Sequence, residues 1–92
     1  MKHTFSCSLV RGGLIGGGLF LDDEALTYKT GKLTIEPKLR NLVLPLKDIT
    51  GISWKTAVFP IATVTMAGGE EYSFMIFNKA GFEKAYAELK GE

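Results

Sequence analysis

The sequence predicts a mainly β (α+β) domain: a bent antiparallel sheet or barrel of six to seven strands, closed by a single C-terminal α-helix. Three observations predict it. Apolar side chains recur at every second position in segment after segment, clusters of glycine or acidic residues punctuate those segments, and only the end of the chain changes to a helical period.

Phe5, Cys7 and Leu9 alternate with Thr4, Ser6 and Ser8, which places the apolar side chains on one face of a first strand. Gly12-Gly13 and Gly16-Gly17-Gly18 follow, and such a density of glycine predicts a tight or bulged hairpin. Leu19 and Leu21 then share a face opposite Phe20 in a second strand. Asp22-Asp23-Glu24 predicts a turn, and Leu26 and Tyr28, alternating with Thr27 and Lys29, a third strand. Leu33 and Ile35 begin a short alternation that Pro37 breaks, so an exposed loop or edge hairpin is expected there. Leu42, Leu44 and Leu46 resume the inward alternation, with Pro45 predicting a strand at the sheet edge. A turn over Lys47-Asp48-Ile49-Thr50 leads to three more strands, marked by Ile52 and Trp54, by Ala62, Val64 and Met66, and by Tyr72, Phe74 and Ile76. Gly68-Gly69 between the last two predicts a two-residue hairpin, because the favoured turns need positive φ.

Phe82, Ala85, Tyr86 and Leu89 recur at helical spacing and form one apolar stripe, while Glu83, Lys84, Glu88 and Lys90 face water. Asn78 suits the N-cap, Phe77 is placed to staple against Phe82, and Gly91 suits a left-handed stop. A helix this short does not persist alone. Burial of each large apolar side chain contributes roughly 1.5 to 3 kcal/mol, so the helix is expected to dock on the sheet.

A chain of 92 residues predicts one domain, residues 1–92, with 46% apolar and 23% charged residues as in an ordinary globular core. Net charge is +1, which argues against nucleic-acid binding, where affinity comes largely from neutralised phosphates. The single cysteine forms no intramolecular disulfide and no zinc framework, and the N-terminus carries no uninterrupted apolar run, so a cytoplasmic location is expected.

Residues at three places sharpen the fold prediction. Gly18-Leu19-Phe20-Leu21-Asp22 with Leu26-Thr27-Tyr28 resembles the glycine-led strand pair of GRAM domains. Leu44-Pro45-Leu46-Lys47-Asp48-Ile49 resembles their apolar-Pro-Leu-x-Asp-Ile segment, and Gly68 to Phe74 followed by Asn78 to Leu89 is similar to their last hairpin and helix. The resemblance implies a pleckstrin-homology-like (PH-like) barrel and a non-catalytic recognition role, with a protein segment or an anionic lipid surface as partner, in the latter case as a peripheral membrane protein. Where the family carries a threonine and a basic residue in its hairpin, this chain has Asp22-Asp23-Glu24-Ala25.

Chemistry-bearing residues are few. His3 lies near a terminus and is expected to be solvated, and Cys7 is expected to behave as a small core hydrophobe; with no relay or ligand spacing around either, no enzyme activity, metal or cofactor is expected. Gly16-Gly17-Gly18 lacks the Lys and Ser/Thr of a phosphate loop, Asp22-Asp23-Glu24 lacks the oxygen spacing of a calcium loop, and Trp54, Phe59 and Pro60 are expected to form a core tryptophan with a loop aromatic beside it. The candidate anion-binding set is Lys29, Lys32, Lys38 and Arg40 around the irregular loop, joined by Arg11, at what the resemblance implies is the lipid-binding end. At about 1 kcal/mol per basic residue, four contribute about 4 kcal/mol, roughly millimolar binding. The competing expectation is self-assembly through Leu42–Leu46 or Ala57–Ile61 into a homo-oligomer.

Overall fold

The computed structural model describes residues 3–11, 13–31, 36–56 and 58–90. Among the described residues seven strands form one antiparallel sheet: β1 (His3–Val10), β2 (Leu14–Leu21), β3 (Ala25–Lys29), β4 (Asn41–Pro45), β5 (Ile49–Thr56), β6 (Pro60–Met66) and β7 (Glu71–Ile76). A one-turn helix α1 (Pro37–Arg40) precedes β4, and helix α2 (Lys79–Lys90) ends the described chain. The expected fold class is therefore found, with the full seven strands.

Strand order in the sheet is β4-β3-β2-β1-β7-β6-β5. Two meanders, β1 to β4 and β5 to β7, meet where Cys7, Ser8 and Leu9 pair with Ile76, Met75 and Phe74. β4 and β5 are opposite edges of this sheet, yet only the 3₁₀ turn Leu46–Asp48 separates them. So short a link forces the sheet to bend until its edges approach each other. Two backbone hydrogen bonds hold that corner, Leu46 N–H to the Glu24 carbonyl at 2.9 Å and Ala67 N–H to the Asp48 carbonyl at 2.7 Å.

The concave face is the core. Phe5, Cys7 and Leu9 of β1 lie beside Leu19 and Leu21, Leu26 and Tyr28, Val64, Phe74 and Ile76, and α2 seals them with Phe82 and Ala85. Tyr86 and Leu89 pack half-buried against the same cluster, as the helical stripe predicts. Asn78 caps α2, its Oδ1 accepting the Gly81 N–H at 3.1 Å. At the other end of α2, the Lys90 ammonium donates to the Leu46 and Ile49 carbonyls at 2.9 and 3.4 Å, tying the helix to the β4–β5 corner.

Several local expectations are corrected. The triple glycine is not a hairpin but lies inside β2, whose register with β1 runs unbroken from His3–Leu21 to Val10–Leu14. The reason is space: the Tyr28 ring lies over Gly17 and its hydroxyl donates to the Ile15 carbonyl at 2.6 Å. The β6–β7 turn has three residues, Ala67–Gly69, closed by the Met66 N–H to Glu70 carbonyl bond at 2.8 Å, and only Gly69 is left-handed, at φ +94°. Leu46 leaves β4 and is buried in the 3₁₀ turn, and Leu42 is half-buried. Pro37 starts a helical turn that buries Leu39 where a loop or edge hairpin is expected, since its missing N–H costs nothing at a first helical position; the expected Leu33 and Ile35 alternation and the Gly91 stop lie outside the described residues. Phe77 is half exposed and meets Phe59 edge-to-face at 5.1 Å, not Phe82: β7 turns Ile76 inward, so the next side chain points to the other face.

Candidate functional site

Register separates the basic candidates into two groups: Lys29 pairs with Gly18, which pairs with Ser6, five residues short of Arg11 along β1, while Lys38 and Arg40 stay with Lys29 through the Lys29–Asn41 pair. Arg11 follows β1, Lys29 ends β3, and Lys38 and Arg40 lie in α1, immediately before β4. Lys32 lies outside the described residues. Their charges are directed onto neighbours. The Arg11 guanidinium sits 5.9 Å from the Tyr72 ring centre, the Lys29 ammonium 5.7 Å from that of Phe20, and the Lys38 ammonium 3.6 Å from the Glu36 carboxylate in an exposed pair. The Arg40 carbonyl accepts the Thr30 N–H at 3.0 Å. Because Leu9 pairs with Phe74, the β6–β7 turn with Glu70 and Glu71 lies at the Arg11 end. Glu36 thus pairs with Lys38, Glu70 and Glu71 stand at the Arg11 end, and the field that these cations present to an anionic surface is weakened accordingly.

A second site is built by β5 and α2. β5 alternates Ile52 and Trp54 toward the core against exposed Gly51, Ser53 and Lys55, but as the last strand it has a sheet neighbour on one side only. Its core-facing side chains therefore project past the sheet, where α2 half covers them. Between them runs a groove of about 510 Å³, floored by Phe82 and walled by Ile52, Trp54, Tyr86 and Ala87. Phe82 meets Trp54 edge-on at 6.0 Å and stacks on Tyr86 at 6.1 Å with an 11° interplanar angle. Polar groups stand at its ends and rim: the Lys79 ammonium 5.1 Å from the Trp54 ring centre, Glu83 on the helix side and Lys90 at the corner. The register slips between Ile49 and Gly51, and Gly51 has open space where a side chain would stand. A free strand edge offers unpaired N–H and C=O groups, and an adjoining apolar trough accepts alternate side chains of a segment laid along it.

The remaining candidates fall into structural roles. His3 stacks on Phe5 at 6.4 Å. Asp22 Oδ1 accepts the Glu24 and Ala25 N–H groups, both at 2.9 Å, and so makes the β2–β3 turn. Among the described residues no group of three or more His, Cys, Asp or Glu side chains is placed to hold a metal ion. No helix among them is long and apolar enough to cross a membrane. Trp54 and Phe59 separate, the former lining the groove and the latter pairing with Phe77. The groove itself was open to sequence reasoning only through its parts, Trp54 on one side and the Phe82–Tyr86 stripe on the other.

Cys7 is 2% exposed, and burial pushes its thiol up to about 12 from 9.0. Burial also raises Tyr28, opposed by its hydrogen bond with Thr30. A folded pKa above the unfolded one contributes stability below the unfolded value that is lost as pH climbs toward the folded value. Stability is accordingly expected to fall between about pH 9 and 12, with Cys7→Ala flattening part of that slope in urea titrations. Below pH 9, a disulfide reagent should label Cys7 only at the rate at which the domain opens.

No family model matches the chain, and no curated protein matches it. Solved structures do. The crystal structure of the C-terminal domain of an unknown protein from Leishmania infantum superposes with a TM-score of 0.78 at 14% sequence identity, over 98% of this chain and 83% of that one. The likeness is one of fold.

Proposed function

We propose that this domain is a non-catalytic recognition module of GRAM or PH-like type, working in the cytoplasm, and that it takes an extended segment of a protein partner as an added strand on β5. The observation that carries this is the coincidence of a strand, β5, that has one sheet neighbour among the described residues, with an aromatic trough beside it. Main-chain hydrogen bonds to β5 supply affinity, and alternate apolar side chains entering between Trp54 and Tyr86 supply selectivity. The GRAM resemblance of the strand pair, the Leu44–Ile49 segment and the last hairpin supports a binding role by analogy alone. An anionic lipid on Arg11, Lys29, Lys38 and Arg40 is less favoured, because register separates Arg11 from the other three, Glu36 pairs with Lys38, and Glu70 and Glu71 stand at the Arg11 end.

A display library of random linear peptides panned on the domain tests this. Enriched peptides should carry apolar residues at alternate positions and shift the emission of Trp54, the single tryptophan. Ala87→Phe, which fills the groove, should weaken them at least about tenfold. Failure to enrich any peptide, or peptides that bind Ala87→Phe equally well, would overturn the reading; a stable dimer in light scattering that Ala87→Phe dissociates would make a second copy the occupant.

A further inference from the structure

The end of β6 and β7 away from Arg11 carries an apolar tip that neither the core nor the groove uses. Val58, after β5, is 90% exposed, and the half-exposed rings of Phe59 and Phe77 meet beside it at 5.1 Å. These rings extend the β6–β7 ladder, since Ile61 pairs with Met75, and half-buried Ile61 and Met75 continue the apolar surface on the outer face. Such a projection is not a fold requirement: its three side chains gain little from the interior. Cations flank it on both sides of the sheet. Lys55, exposed and opposite Ile61, stands on the outer face, and Lys79 opens α2 on the groove side. The acidic turn at this end, Asp22-Asp23-Glu24, joins β2 to β3, and β2 lies three places from β6 in the sheet order.

An apolar apex set between two ammonium groups matches the layering of an anionic bilayer surface, with acyl chains beneath negatively charged headgroups. It does not match itself: an isologous pair of copies would press Lys55 and Lys79 of each against the same patch of the other. We infer that the Val58, Phe59 and Phe77 tip inserts into the interface of anionic membranes, with Lys55 and Lys79 on the headgroups. The groove between β5 and α2 would then open beside the membrane plane.

Sedimentation with vesicles of mixed phosphatidylserine and phosphatidylcholine tests this, against vesicles of phosphatidylcholine alone. The domain should bind the anionic vesicles at low ionic strength and leave the neutral ones. Val58→Asp and Phe59→Ser should each cut partitioning about tenfold or more, and Lys55→Gln about fivefold, a loss that added salt mimics. Arg11→Gln, at the far end beside Tyr72, should leave it unchanged. All these side chains are exposed or half-exposed, and circular dichroism verifies folding. Three results would overturn the inference: no binding at low salt, binding lost through Arg11 but kept in Val58→Asp, or light scattering showing a dimer that Phe59→Ser dissociates.

Discussion

Phe82→Ala is expected to lower the unfolding free energy by about 3 to 5 kcal/mol, from a total that for domains of this kind is about 5 to 15 kcal/mol. Phe82 is 1% exposed and stands where three elements converge: its ring meets Phe5 of β1 at 5.4 Å, Trp54 of β5 at 6.0 Å and Tyr86 of its own helix at 6.1 Å. The cavity cannot be refilled from α2, because the neighbouring core-facing position is Ala85. A twelve-residue helix has too little intrinsic stability to stay formed without that anchor. Urea unfolding followed by Trp54 emission and by far-ultraviolet circular dichroism measures the loss. A change below about 1 kcal/mol would mean that the helix is not held by this side chain.

Gly17→Ala is the second large effect, expected to cost about 3 kcal/mol, the upper end of what overpacking does. A β-carbon on Gly17 would collide with the backbone carbonyl oxygen of Lys29 and approach the Tyr28 ring at 2.8 Å. The carbonyl belongs to β3 and cannot move without breaking the ladder, and the ring is pinned by its bond to Ile15 and is fully buried. Gly16→Ala is the control. Its β-carbon would meet nothing within 4 Å, so it should change stability by no more than about 0.5 kcal/mol. Equal effects of the two substitutions in thermal melts would show that chain flexibility, not the Tyr28 ring, explains the glycines.

Strand faces were legible in the sequence because alternation is a property of neighbours: Cys7 with Leu9, Val64 with Met66 and Phe74 with Ile76 all face inward as their spacing predicts. The capped, striped C-terminal helix was legible for the same local reason, and Pro45 marked β4 as an edge. What could not be read depends on pairing between distant segments. That β5 is the other edge follows from β1 joining β7, and no local signal in Gly51-Ile52-Ser53-Trp54 announces it. Gly16-Gly17-Gly18 has a turn's composition, and only the Tyr28 ring eleven residues beyond Gly17 explains it as strand. Of the site residues, the basic set was legible as charges but not as partners of Tyr72, Phe20 and Glu36, and the groove was legible only as two unrelated stripes.

The joint between the two meanders has a kinetic meaning. Every other strand pair links sequence neighbours, all but β3–β4 through a short turn, whereas Cys7–Leu9 can find Phe74–Ile76 only after the whole intervening chain has been brought round. Closing so long a loop costs entropy before it returns any contact, which places the rate-limiting barrier of folding at this seam. The halves on either side are short ladders that form early and wait; the native state begins when its first strand meets its last.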